Sequence, residues 1–337
     1  MSPSIYDYFL TLITLTSWYL TLRKIYAMNW EKPTDARNLA DHCSKYVIPK
    51  EEILGLEIEN SGNAFVISGA DYRGQRVVLK RWHGAVVPHQ SRVQFTKRLI
   101  RDLDRWRALD HPNIAPVIGV ALHISNLPAL VVQSNRTVNQ VLAEHPDTDV
   151  FHLMQGVAAG LSFLHKQNPP IIHGDLKGSS VFPSHNHPDW GFHGVDDARW
   201  LAPELMDTAL RPELLLGTNG DAGMLQRTPD ATLPLSTESD VYSFGMLCYE
   251  MYTRARPFAS TLWAAAVIVR VVEGKRPPRP SAELSPQLTD TLWELIQFCW
   301  AQDYRERPRM DAVVAWLMVL ARLRGVEGSC CGGGPLL

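Results

Sequence analysis

Paired cysteines are missing from this chain. Its five (Cys43, Cys248, Cys299, Cys330 and Cys331) form no CxxC unit and keep no regular spacing, which excludes a zinc ribbon or a disulfide framework as the organising device. The pattern fits a reducing compartment, and the expected location is cytoplasmic. An excess of charge of one sign is missing too: 33 Lys and Arg stand against 35 Asp and Glu, a net charge of −2, so no global basic field is available for nucleic acid or an anionic membrane. Any anion site has to be local. Long apolar runs are also lacking. The longest near the amino end, Phe9 to Leu22 (FLTLITLTSWYLTL), has 14 residues, against roughly 20 for a helix that spans a bilayer. Asp7 is the only charged side chain before it, so the positive start of a signal peptide is absent. Residues 1–50 therefore read as a leader whose apolar run lies against the domain or is disordered. A short membrane anchor with Arg23 and Lys24 on the cytosolic side is the alternative.

What is present is enough apolar material, 45% of 337 residues, for one large domain or two smaller ones. Leu56/Ile58, Phe65-Val66-Ile67 and Val77-Val78-Leu79, bounded by Gly or Asn, predict three successive antiparallel strands. Between Ser91 and Leu109 the apolar residues Val93, Phe95, Leu99, Leu103, Trp106 and Leu109 recur mostly at three- and four-residue spacings, which predicts an amphipathic helix ending at His111-Pro112. Two short apolar runs follow, Ala115 to Val120 and Ala129 to Val132. From Asp149 onward the pattern turns helical: Phe151 to Leu164, Leu235 to Tyr252, Leu262 to Val272, Leu288 to Trp300 and Met310 to Leu323. Residues 51–133 thus form a small β-rich unit and 134–325 a larger helical one. A polar, Gly/Pro-rich insertion lies at about 206–234, and residues 326–337 form a tail expected to be disordered.

The helix predicted to end near Leu164 leads into His173-Gly174-Asp175-Leu176-Lys177-Gly178-Ser179-Ser180-Val181, an acid and a base two residues apart in a Gly/Ser-rich loop. Around it stand Val77-Val78-Leu79-Lys80, His111-Pro112-Asn113-Ile114, Arg199-Trp200-Leu201-Ala202-Pro203-Glu204, Ser239-Asp240-Val241-Tyr242-Ser243-Phe244-Gly245 and Arg305-Glu306-Arg307-Pro308. In order and rough spacing this series resembles the protein kinase family, from about Ile53 to Leu323. The RWLAPE, SDVYSFG and CWAQDYRERP wording looks most like the tyrosine-kinase-like branch, and Asp175-Leu176-Lys177 is similar to its serine/threonine-specific members. The implied fold is α+β and bilobal, with a small β-rich N-lobe carrying one long helix and a larger α-helical C-lobe.

The resemblance also implies roles. Lys80 would meet the α- and β-phosphates of ATP, Asp175 would orient the substrate hydroxyl as its base, and Lys177 would hold the transferred phosphoryl group. Val66 and Gly62 would lie over the nucleotide, and Asp102 takes the place of the helix acid that pairs with the strand lysine. Ser180 and Asp189 take the places of the magnesium ligands. Glu204 and Arg307 would form a buried ion pair, and Asp240 would accept hydrogen bonds from the loop backbone near His173.

Four departures from the family pattern bear on chemistry. The phosphate-covering GxGxxG is absent: counting back from Val66 and Gly69 puts Glu59, Ser61 and Ala64 at the glycine positions, with Gly62 out of step. Asp102 is one methylene, about 1.5 Å, shorter than the family's glutamate. Ser180 replaces the metal-binding asparagine. The only counterpart of Asp-Phe-Gly is Asp189-Trp190-Gly191, 14 positions after Asp175 and 13 before Ala202, too few for both the hairpin and the activation loop of the family. Either the hairpin is cut away and Asp189 approaches by a new route, or Asp189 is a surface turn residue and the metal site is gone. Gly174 replaces the arginine that receives a phosphorylated activation loop, so that switch cannot operate as usual.

Three functions follow from the resemblance. The first is a pseudokinase that signals by binding a protein partner, with phosphotransfer weakened or lost. The second is an active ATP:protein serine/threonine kinase with an atypical metal site. The third is an incomplete product of an otherwise ordinary kinase gene. ATP is the implied cofactor, Mg²⁺ is in question, and no nucleic-acid partner is expected.

Overall fold

The computed structural model describes residues 45–61, 65–82, 103–124, 129–133, 137–179, 198–207 and 235–331. Its first part is a five-stranded antiparallel sheet: β1 (Ile53–Ser61), β2 (Phe65–Tyr72), β3 (Gln75–Trp82), β4 (Val117–Ala121) and β5 (Ala129–Gln133), ordered β1-β2-β3-β5-β4. The apolar runs expected to be strands are strands. A two-residue turn at Arg73 and Gly74 joins β2 to β3 and sets their register at Tyr72 opposite Gln75. One face of the sheet packs Ala70, Val77, Leu79, Ala121, Ala129 and Val131 around Ile48, the small core of this lobe. Of the helix predicted over 91–109, residues 103–107 are described and are helical, with Leu103 and Trp106 buried.

The second part is helical: α1 (Val138–Glu144), α2 (Val150–His165), α3 (Pro203–Met206), α4 (Thr237–Thr253), α5 (Ala264–Val272), α6 (Asp290–Cys299) and α7 (Met310–Cys331). Its core joins Phe151, Met154, Leu161 and Leu164 of α2 to Val241, Phe244, Leu247 and Met251 of α4 and to Leu292, Leu295 and Ile296 of α6. α4 is buried on nearly every side, and its amino end is closed by Ser236 and Ser239 capping each other's backbone N–H. The arrangement is the α+β, two-lobed one that the motif order implies.

Two features differ from the sequence reading. In the second part, helical structure begins at α1, before Asp149. Seven residues show too little of a 3.6-residue period to be read, but the Thr137/Gln140 capping box is present at its start. At the other end, α7 runs to Cys331, eight residues past Leu323 and into the segment expected to be a disordered tail. Backbone helix geometry continues there beyond the last apolar position of the pattern. Among the described residues no helix is long and apolar enough to cross a membrane, and the apolar run at 9–22 lies outside them.

Candidate functional site

The loop between α2 and residue 179 is held from below by one carboxylate. The His173 and Gly174 amides donate to Asp240 Oδ2 and Oδ1 at 2.7 and 2.8 Å, and His165 Nε2 lies 2.9 Å from Oδ2. Asp240 sits in the first turn of α4, so the loop hangs on the most buried helix of the lobe. The role that the resemblance implies for Asp240 is the geometry observed. Gly174 has φ +76°, a left-handed conformation that suits glycine and disfavours a larger residue, arginine included.

His173 is fully buried, and its Nδ1 accepts the Asp175 amide at 3.3 Å. Burial pushes its pKa down to about 4 despite the opposing charges of Asp240 and Asp175, so the ring is neutral near pH 7 with its proton on Nε2. The loop then presents the Asp175 carboxylate, 5% exposed, to two ammonium groups: Lys177 Nζ lies 2.7 Å from Oδ1 and Lys80 Nζ 3.5 Å from Oδ2. Lys80 is fixed in β3 between Ile67 of β2 and Leu130 of β5. The structure thus brings together the three residues to which the resemblance gives phosphate, base and phosphoryl roles.

Val66 lies in β2. Its Cα partner is Arg81, and directly opposed residues of an antiparallel pair share a face while neighbours along a strand alternate. Val66 therefore lies on the face of Arg81 and Ser68, whose side chains hydrogen-bond at 2.8 Å, opposite the face of Lys80. The register that sets this face is not recorded by counting along the sequence. Glu59 and Ser61, counted into the glycine loop, belong to the end of β1. Gly62, Asp102, Ser180 and Asp189 lie outside the described residues. Among those described, no group of three or more His, Cys, Asp or Glu could hold a metal ion.

Glu204 and Arg307 form the buried pair expected of them, with two parallel bonds of 2.7 and 2.8 Å. Arg307 also donates to the carbonyls of Ala301 and Glu238. The sequence reading missed a second hub, Glu250 of α4. Its carboxylate accepts from Gly178 N (2.9 Å), Trp200 Nε1 (2.9 Å) and Asn139 Nδ2 (2.8 Å), tying the catalytic-type loop to the RWLAPE segment and to α1. Burial raises its pKa, and these three bonds and the Lys177 charge oppose the rise. The available signal was a lone acid inside the apolar stretch CYEMYT of a helix buried all round. A Cβ on Gly178 would meet Asn139 Oδ1 at 2.1 Å, so a larger residue there would push the Asn139 amide from its bond to Glu250. Arg199, also missed, is 1% exposed and donates to the carbonyls of Pro257, Phe258 and Thr261. Beside these anchors a small open pocket is lined by Asp175, Lys177, Trp200, Leu201 and Ser243.

The protein tyrosine and serine/threonine kinase family model matches residues 224–317. The chain is similar to the protein kinase superfamily and, within it, to the tyrosine-kinase-like branch. Over 263 residues, 76% of this chain and 30% of the relative, it is 27% identical to receptor-interacting serine/threonine-protein kinase 4 of Homo sapiens. It is 25% identical over 316 residues (86% of this chain, 30% of the relative) to kinase suppressor of Ras 2 of Mus musculus. Similarity to cyclic GMP-binding protein C of Dictyostelium discoideum is 25% over 248 residues, 67% of this chain and 8% of that protein. The chain therefore spans less than a third of the length of each of these relatives. Protein kinases work with ATP and magnesium.

Proposed function

We propose that the chain is a kinase-fold signalling protein that acts by binding a protein partner, retains a nucleotide contact at Lys80, and has weakened or lost phosphotransfer. The observation that carries this reading is the interval between Asp175 and Ala202. Its 14 and 13 positions on either side of Asp189 leave no room for both the hairpin and the activation loop that present the metal aspartate in the family. Ser180 in the place of asparagine weakens the second ligand as well. Phosphoryl transfer rests on positioning and on metal-assisted neutralisation of charge, so these changes strike the part that chemistry needs most. The anchors of fold, Asp240 and the Glu204–Arg307 pair, are kept in full.

The residues present fit a nucleotide's phosphate end in one respect: a buried ammonium, Lys80, stands at the sheet side of the cleft. Lys80 would hold the phosphates when ATP is bound, and magnesium would supply charge neutralisation at the transferring group. The convergence of Asp175, Lys177 and Lys80 favours a second reading, an active serine/threonine kinase with an atypical metal site.

Melting of the purified protein with ATP, with and without Mg²⁺, separates the two. A ligand at a hundred times its dissociation constant stabilises by about 2.7 kcal/mol, a visible shift. The proposal expects a shift at high ATP that does not depend on magnesium and is lost in Lys80→Ala. A magnesium-dependent shift overturns it in favour of the second reading.

A further inference from the structure

The contact between Lys80 and Asp175 joins residues 95 positions apart in the chain, one on the sheet and one on the helical lobe, and both are nearly closed to solvent, with side chains 11% and 3% exposed. Neither end is loose. Lys80 is fixed in β3 by pairing on both sides, and the backbone around Asp175 is fixed by Asp240 and by the ring of His173. We infer that the Lys80–Asp175 ion pair is an autoinhibitory latch that closes the cleft between the lobes and that a nucleotide has to break before its phosphates reach Lys80. This inference rests on the proposed reading of Lys80 as the phosphate contact.

The chemistry of the latch is competition for one ammonium. Carboxylate and phosphate oxygens are the same kind of acceptor for Lys80, and the oxygen it holds belongs to the group that would take a substrate's hydroxyl proton. One contact thus occupies the ligand for the nucleotide and the acceptor for the substrate together. Opening does not strand a buried charge, because Lys177 stays 2.7 Å from the other oxygen of Asp175. A site whose competent form is only partly populated binds with an affinity reduced by that fraction. Asp175 therefore lowers ATP affinity, although in the family it is placed as the catalytic base.

The test is ATP affinity of the full chain, by calorimetry in EDTA and again with Mg²⁺, for the parent, Asp175→Asn, Lys80→Met and the double variant. Asp175→Asn is expected to bind ATP at least about tenfold more tightly than the parent, with the gain vanishing in the Lys80→Met background. An unchanged or weaker affinity in Asp175→Asn overturns the latch, as does failure of both parent and Asp175→Asn to bind. A gain that persists with Lys80→Met is the field effect of removing a negative charge and also overturns it. If Lys80→Met binds like the parent, the reading of Lys80 itself fails. Nucleotide-free melting gives an independent arm: the shifts of Lys80→Met and Asp175→Asn are expected not to add, and additive shifts overturn the latch.

Discussion

Glu204 and Arg307 bury opposite charges at 1% and 6% exposure, so removing one leaves the other buried without its counter-charge. Glu204→Ala or Arg307→Ala is expected to cost about 3–5 kcal/mol, measured by denaturant unfolding; a loss below about 1 kcal/mol would contradict the buried-pair description. His173 carries a pH dependence of definite sign. Its folded pKa, about 4, lies below the 6.5 of the exposed side chain. The unfolded chain therefore binds the proton first, and stability contributed by the neutral ring is complete above about pH 6.5 and lost as pH falls towards 4. A shift of that size is on the order of 3 kcal/mol. In His173→Asn the melting temperature is expected to vary less between pH 6.5 and 4 than in the parent, and an equal slope would count against the buried neutral ring. Lys80, Asp175, Lys177, Asp240, Glu204 and Arg307 were legible in the sequence because each lies in a motif whose neighbours also match. The sheet face of Val66 was not, because the face of a strand residue depends on a register that no spacing records. Glu250 and Arg199 were not, because their partners come from segments up to 111 positions away.

Among the elements, the long helices and the β2–β3 hairpin follow from periodicity and turn residues. α4 begins at Thr237, where its capping box fixes it, two residues past the Leu235 of the apolar pattern. α1 escaped the pattern but not the chemistry of its first turn, in which Thr137 Oγ1 accepts the Gln140 amide and Gln140 Oε1 accepts the Thr137 amide. Since Asn139 of α1 reaches Glu250, a frayed α1 would loosen the loop at Gly178. Thr137→Ala is expected to lower stability by about 1 kcal/mol, and hydrogen exchange should speed up at the Gly178 amide as well as in α1. Faster exchange confined to α1 would show that the two are uncoupled. α7 past Leu323 was not legible, since the apolar recurrence of the sequence stops there while the backbone helix runs on.

At the scale of the whole molecule, the two lobes carry different amounts of the family's machinery. The helical lobe keeps its anchors: Asp240 beneath the loop, the Glu204–Arg307 pair, and Glu250 beneath Gly178 and Trp200. The sheet keeps Lys80 and commits it to Asp175. Between the lobes the sequence lacks the glycine loop and the length for an ordinary metal-aspartate segment. On the proposed reading, a scaffold preserved in this way around altered chemistry serves recognition of a partner in place of turnover. The measurement that tests this most directly is phosphoryl transfer by the purified protein from ATP to a general protein substrate, compared with Asp175→Asn. The account predicts turnover at least about 10³-fold below the roughly 1–100 s⁻¹ of working kinases, with no dependence on Asp175. Magnesium-dependent transfer at an ordinary kinase rate, abolished by Asp175→Asn, would contradict it.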